Sequence, residues 1–145
     1  DIIATDHAPH LWSEKEGTYF NIAAGVPNVQ HMLLSLLKMH DQGHMPLTTI
    51  VSKTAHQVAD LFAIKDRGYV REGYYADLVS VNPSESYTVT DENTLYHCGW
   101  SPFTHEIFPF SIDKTWLAGQ CVYENHQLLD LPPMGMPLEF DQQPR

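Results

Sequence analysis

Apolar residues recur with a helical period in two stretches of the chain. The first runs from about residue 28 to 41, where Asn28 is placed to cap a helix and Gly43 and Pro46 to end it. The second runs from about residue 48 to 63. The apolar positions are Val29, Met32, Leu33, Leu36 and Leu37 in the first stretch, and Val51, Thr54 or Ala55, Val58, Leu61 and Phe62 in the second. Such stripes predict two amphipathic helices that face a hydrophobic core.

Short apolar runs rich in β-branched residues predict strands near both ends of the chain. Residues 2–5 have the composition of a buried parallel strand, and residues 76–81 form a strand that an Asn-Pro pair closes. The runs on either side of Gly119, between residues 114 and 123, predict a hairpin. Residues 124–127 then predict one more turn before a last short strand.

The order strand, long loop, two helices and short strands predicts an α/β fold. It fits the C-terminal portion of a (β/α)8 barrel, with its last strand and helices, followed by a small β subdomain. We expect the end of the barrel in residues 1–65, the β subdomain in 66–130, and an extended proline-rich tail in 131–145. Because the chain enters a buried strand at once, we expect it to be a segment of a longer protein.

Composition and charge narrow the classes of function. The chain has 145 residues, of which 43% are hydrophobic, so it can bury a core. Lys and Arg number 8 against 18 Asp and Glu, and the resulting charge of −10 would repel a phosphate backbone, which argues against nucleic acid as a partner. No apolar run predicts a membrane span. Two cysteines are too few for a disulfide framework and favour a cytoplasmic location.

The most reactive residues follow the first predicted strand, in the run from Asp6 to His10. Side chains at the C-terminal ends of barrel strands face the active site. A carboxylate there can bind a metal ion and accept a proton from water. The alternative is a loop carboxylate that only accepts backbone N–H bonds, and the spacing alone leaves both interpretations open.

Several segments resemble dihydroorotases, metal-dependent cyclic amide hydrolases of the amidohydrolase superfamily. Asp6-His7-Ala8-Pro9-His10 resembles the signature at the family's eighth barrel strand. Glu14-Lys15 and Ala24-Gly25-Val26-Pro27 resemble its substrate loop, and Glu72 to Val79 the entry into its β subdomain. The family's closing segment is similar to Cys98-Gly99-Trp100-Ser101-Pro102-Phe103, Leu117-Ala118-Gly119 and Val122-Tyr123-Glu124-Asn125. The family often has a glycine and a glutamate where this chain has Asn28 and Gln30.

The resemblance implies zinc-dependent, reversible hydrolysis of L-dihydroorotate to N-carbamoyl-L-aspartate in pyrimidine biosynthesis, by a homodimer. It implies that Asp6 is a ligand of a binuclear zinc site and the catalytic proton carrier. It also implies that His10 binds the substrate carboxylate and that the backbones of Ala24 and Gly25 bind the ring. The family's other zinc ligands would lie upstream of Asp1, so we expect the segment alone to be inactive.

His10 separates dihydroorotases from related enzymes that open neutral rings. Hydantoinases resemble Asp-His-Cys-Pro-Phe at this motif and allantoinases Asp-His-Ser-Pro-Cys, and only histidine suits a carboxylate. Two alternatives stay open: a hydantoinase or allantoinase, and a non-catalytic homologue that is a structural partner of aspartate transcarbamoylase. The remaining histidines have no ligand spacing and are interpreted as structural or surface residues: His31, His40, His44, His56, His97, His105 and His126.

Overall fold

The computed structural model describes residues 1–141 and consists of a long N-terminal loop, a helical region and two small antiparallel sheets. The loop contains one 3-10 turn, Trp12–Lys15. The helices are α1 (Met32–Asp41), α2 (Leu47–Val51) and α3 (Gln57–Phe62). None of the helices in the described residues is long and apolar enough to cross a membrane.

A helix is present where the first apolar stripe predicted one, but α1 begins later, its buried side chains are Leu34, Leu36 and Leu37, and Val29 of the predicted stripe is exposed. The backbone carbonyl of Asn28 accepts hydrogen bonds from the N–H groups of His31 and Met32, so residues 28–31 form a turn that leads into the helix. The end is as predicted. Gly43 has a φ of +75°, and the His44 N–H reaches back to the Met39 carbonyl at 2.9 Å, which forms a Schellman cap.

The second predicted helix is present, but it contains a wider turn that the sequence pattern did not predict. The π-helical segment Ser52–His56 joins α2 directly to α3. In such a turn the hydrogen bonds shift by one residue, which leaves a carbonyl available for a partner outside the helix. The Lys53 carbonyl accepts a hydrogen bond from the Ile3 N–H at 3.0 Å. The helix therefore holds the segment that precedes Asp6.

The larger sheet has four strands in the order β1 (Leu78–Asn82), β4 (Ser111–Leu117), β5 (Gln120–Glu124) and β6 (Gln127–Leu128). All neighbouring strands in it are antiparallel. Ala118 and Gly119 link β4 to β5 with φ values of +49° and +86°. Two consecutive residues with positive φ are typical of a type I′ turn. The predicted hairpin around Gly119 is thus confirmed.

A second, two-stranded sheet pairs β2 (Tyr87–Thr88) with β3 (Ile107–Phe108), and helix α1 packs against it. Strands of two residues have too short a pattern to predict from sequence. The core formed here contains Leu34 of α1 together with Tyr87, Val89 and Phe108, all buried. Helix α1, from the region predicted to end a barrel, therefore shares its core with part of the predicted β subdomain.

Residues 2–5, predicted as a strand, and the C-terminal stretch, predicted as an extended tail, both differ from their predictions. Residues 2–5 are not a strand, because the described residues offer them no neighbouring strand and a ladder needs one. The barrel strand predicted there is therefore not confirmed, and residues 1–141 contain no closed barrel. Near the other end, Phe140 pairs with Ile64, and the Lys65 N–H donates to the Glu139 carbonyl at 2.9 Å. Residues 142–145 of the predicted tail lie outside the described residues.

His31 is the polar centre of the core. Its side chain is fully buried and is surrounded by the rings of Tyr87, Tyr96, Phe103 and Phe108. The hydroxyls of Tyr96 and Ser101 each lie 3.2 Å from its Nδ1, while Nε2 has no partner within residues 1–141. Burial without a nearby carboxylate disfavours the charged ring. The pKa of His31 is accordingly lowered from 6.5 to about 4.

We expect this histidine to make the protein less stable as the pH falls from 7 to about 4.5. In the unfolded chain, His31 takes up a proton near pH 6.5, whereas the folded ring excludes it until about pH 4. The free energy of unfolding should drop by roughly 2–3 kcal/mol over this range on account of His31 alone. Urea denaturation at several pH values measures it.

The His31→Gln variant should have a flatter pH dependence, although it is less stable at every pH. The exposed His44 provides the matched control, and His44→Gln should leave the dependence unchanged. Equal slopes for wild type and His31→Gln would contradict the assignment.

Candidate functional site

Asp6 occupies a bend at the end of the extended N-terminal segment. Its φ is +45°, in the left-handed region that non-glycine residues rarely adopt but that aspartate tolerates better than most. After the bend, His7 pairs with Val26 in a parallel bridge, and the Ala8 N–H donates to the Val26 carbonyl at 3.0 Å. The carboxylate of Asp6 is exposed and has no partner within residues 1–141. A strained residue with a free carboxylate is a feature of functional sites.

His7 holds this bend against the start of the helical region. Its Nδ1 accepts hydrogen bonds from the backbone N–H groups of Asn28, at 2.9 Å, and Val29, at 3.3 Å. Its ring also lies against Tyr96, with 5.4 Å between the ring centroids. Since Nδ1 accepts two bonds, it carries no proton in this arrangement. His7 is therefore a structural residue of the motif, a role that the sequence did not reveal.

His10 follows a tight turn in which its N–H donates to the Ala8 carbonyl at 2.9 Å. The half-buried side chain places Nδ1 3.7 Å from Oε2 of Glu14. Its Nε2 forms no hydrogen bond within the described part of the chain. The backbone carbonyl of His10 accepts a hydrogen bond from Nε1–H of Trp100 at 2.8 Å. Nε2 of the imidazole thus stays available to a ligand, while hydrogen bonds hold the backbone of His10 in place.

Gly25 brings the second half of the loop next to the motif. Its φ is +88°, and a Cβ built on it would lie 2.6 Å from the Cβ of Ala8, so any other residue would collide there. Ala24 and Gly25 are both exposed, and neither backbone N–H donates a hydrogen bond within residues 1–141. Two free donors in an ordered loop can bind the carbonyl or carboxylate oxygens of a ligand.

Lys15 fixes the carbonyl groups on the same stretch. Its ammonium donates to the carbonyl oxygens of Ala23, at 2.6 Å, and Gly25. The Ala23 N–H donates in turn to the Glu14 carbonyl at 3.0 Å. The peptide groups around Ala24 are therefore oriented, with carbonyls held by Lys15 and the N–H groups of Ala24 and Gly25 left free.

The four residues that sequence analysis assigned to a site thus share one folded loop. The bridge between His7 and Val26 joins two stretches of this loop. The first stretch contains Asp6 and His10, and the second contains Ala24 and Gly25. Lys15 lies in a stretch that resembles the family's substrate loop, but the sequence indicated no role for its ammonium or for Trp100. Trp100 is 90 residues away from its hydrogen-bond partner, and no local pattern signals such a contact.

A metal site cannot be completed from the described residues. No group of three or more His, Cys, Asp or Glu side chains in residues 1–141 is placed to hold a metal ion. A catalytic zinc ordinarily has three protein ligands. The side chains present therefore do not fit a whole zinc site, and the exposed carboxylate of Asp6 could supply one ligand of it.

Comparison with known proteins identifies relatives over most of the chain. No model of a known protein family matches it. A dihydroorotase of Halobacterium salinarum is 33% identical over 124 residues, which cover 86% of this chain and 29% of that protein. An allantoinase of Desulfitobacterium hafniense is 30% identical over 132 residues, or 90% of this chain and 29% of the relative. This chain spans less than a third of the length of either relative.

A solved structure supports the same placement. The D-hydantoinase of Bacillus sp. AR9 superimposes with a TM-score of 0.78 at 24% identity, over 88% of this chain and 29% of that one. At that identity the likeness concerns the fold. It matches this chain to the C-terminal part of the hydantoinase fold. Over most of its length the chain is therefore homologous to part of the proteins named dihydroorotase, and its fold is that of the C-terminal part of hydantoinases.

Proposed function

We propose that this chain is the C-terminal part of a protein, called here the parent protein, that reversibly hydrolyses L-dihydroorotate to N-carbamoyl-L-aspartate. The observation that carries the proposal is the loop between Asp6 and Val26. It presents a free carboxylate, a free imidazole nitrogen and two free backbone N–H groups on one ordered segment. A cyclic amide that bears a carboxylate needs groups of these kinds. Relatives named dihydroorotase support this choice of substrate.

His10 is the residue that selects an acidic substrate. A protonated imidazole can donate a charge-assisted hydrogen bond from Nε2 to a carboxylate. The backbone of His10 is held by two hydrogen bonds, one to Ala8 and one from Trp100, so the ring projects from a fixed position. Holding the substrate at a group remote from the scissile bond orients that bond for attack and lowers the barrier.

Asp6 is the residue that we assign to proton transfer. As water attacks the ring carbonyl carbon, the carboxylate accepts the proton of the water. It then delivers this proton to the ring nitrogen as the C–N bond breaks. A zinc ion, when bound, would supply Lewis-acid activation of the water and the carbonyl group. The free N–H groups of Ala24 and Gly25 bind ring oxygens and keep the ring in register.

A second candidate substrate is a neutral cyclic amide or ureide. The allantoinase from Desulfitobacterium hafniense is nearly as similar as the dihydroorotases, and the structural neighbour is a hydantoinase. The loop geometry suits such rings equally well apart from residue 10. His10 favours dihydroorotate because a neutral ring has no anionic group to bind the imidazole.

Replacing Asp6 should remove turnover but not binding. In the parent protein, Asp6→Ala should lower kcat for dihydroorotate by about 10²–10⁴-fold, because the proton is transferred only in the transition state. Steady-state kinetics give kcat, and calorimetric titration gives the affinity. Asp66 also has a left-handed backbone, with φ +53°, so Asp66→Ala controls for backbone strain and should keep its activity. A variant of Asp6 that turns over normally would rule out the assigned role.

Replacing His10 should reduce the preference for an acidic ring. His10→Phe in the parent protein should weaken dihydroorotate about 10–100-fold in kcat/KM, since one charge-assisted hydrogen bond is lost. The affinity for dihydrouracil, which lacks the carboxylate, should change much less when it is measured as a competing ligand. His44→Phe, at an exposed histidine, is the control. Equal losses for both rings would favour the neutral-ring alternative.

The 145-residue chain alone should not keep zinc. Asp6 is one ligand, and a single carboxylate holds zinc too weakly to survive dialysis against a mild chelator. Mass spectrometric metal analysis after dialysis measures the zinc that is left. Stoichiometric zinc would show that ligands have been overlooked in this chain.

A further inference from the structure

Trp100 links the loop between Asp6 and Val26 to the buried core, although it is far from this loop in sequence. Its indole Nε1–H donates to the backbone carbonyl of His10 at 2.8 Å. Its ring forms a T-shaped contact with that of Trp12, with centroids 5.4 Å apart. Both contacts fall on residues between Asp6 and Lys15, so the indole touches the stretch that carries the imidazole of His10.

Lys15 connects the same indole to the other half of the loop. Its ammonium lies over the Trp100 ring, 5.9 Å from the centroid, and at the same time donates to the carbonyls of Ala23 and Gly25. A cation over an aromatic face is attracted by the negative face of the ring. One indole therefore contacts the carbonyl of His10 directly and the backbone around Ala24 through Lys15.

Trp100 is itself held by the core. The next residue, Ser101, is buried, and its hydroxyl lies 3.2 Å from Nδ1 of His31 and accepts the N–H of Phe103. On the other side, Gly99 has φ +72° and its N–H donates to the Tyr96 carbonyl at 2.9 Å. The indole thus extends from a fixed backbone, as a positioning residue requires.

We propose that Trp100, acting with Lys15, is a positioning residue that sets the geometry of His10 and of the Ala24–Gly25 backbone for the carboxylate-bearing substrate. This rests on the proposed function, since it is through His10 that Trp100 acts. Trp100 touches no reacting atom. Its loss moves the imidazole away from the substrate carboxylate, so binding suffers more than the chemical step.

The test uses Trp100→Phe in the parent protein, which keeps an aromatic ring and removes the N–H. We expect KM for dihydroorotate to rise about three- to tenfold, the effect of one lost hydrogen bond, while kcat changes less than about twofold. The affinity for dihydrouracil should fall less than that for dihydroorotate, because dihydrouracil makes only the ring contacts with Ala24 and Gly25 and none with His10. Trp116→Phe is the matched control, because Trp116 lies in β4 and no hydrogen bond within residues 1–141 joins it to the loop.

Lys15→Met, at a half-buried residue, provides a second variant in case Trp100→Phe does not fold. It keeps the aliphatic stem and removes the ammonium, and it should also raise KM for dihydroorotate. Combined with Trp100→Phe, the two effects should be less than additive, because each residue acts through the other. Full additivity, or an unchanged KM in both variants, would overturn the proposal.

Hydrogen exchange separates this proposal from the proposed function. The amides of Ala8 and Ala23, which hold the two halves of the loop, should exchange faster in Trp100→Phe than in wild type or Trp116→Phe. If His10→Phe fails to discriminate between the two rings, the assigned substrate is wrong, and faster exchange still supports positioning of the loop by Trp100. If His10→Phe discriminates but Trp100→Phe changes neither KM nor exchange, Trp100 has no positioning role.

Discussion

The buried ring of His31 is the interaction on which the arrangement of this chain depends. It precedes helix α1, and its Nδ1 faces the hydroxyls of Tyr96 and Ser101, residues that lie 65 and 70 positions further along the chain. Burying a polar ring among aromatic side chains is unfavourable, and the two hydroxyls beside Nδ1 offset part of this cost, so the three residues hold one another in place. Trp100 directly precedes Ser101, and its indole N–H donates to the carbonyl of His10. This contact connects the core to the loop that contains Asp6 and His10. The candidate site is therefore connected to the core through Trp100.

Sequence periodicity predicted the elements whose stability is mostly local. The leucine stripe predicted helix α1 and Gly43 predicted its end, because the left-handed residue that follows a helix is most often glycine. The hairpin at Gly119 could be predicted for the same reason. Residues 2–5 show the limit of this reasoning. Their β-branched composition is that of a strand, but a strand exists only beside another, and no partner strand is present in residues 1–141.

The site divides in the same way. The motif from Asp6 to His10, and the Ala24–Gly25 stretch, could be recognised because their residues are contiguous. What holds them could not be recognised. His7 accepts from amides 21 and 22 residues away, and Trp100 donates across 90 residues. Neither contact leaves a periodic trace. The left-handed backbone of Asp6 could not be predicted either, since aspartate at the start of a loop is also common in ordinary turns. Relatives with different cyclic substrates share the fold, so the substrate must be read from single positions such as residue 10.

In the wide turn at Ser52–His56, the number of residues has a larger structural effect than their identity. The extra residue in that turn changes the rotation between α2 and α3 by about 100°, the step of one residue around a helix. It also exposes the Lys53 carbonyl that the Ile3 N–H binds. A substitution within Ser52–His56 would leave this carbonyl in place, because any residue supplies one. A one-residue deletion would convert the turn into ordinary α-helix, in which the Lys53 carbonyl bonds within the helix. The Ile3 N–H would then lose its acceptor, and the segment before Asp6 would no longer be held. Related proteins should therefore tolerate varied residues here and keep the same length.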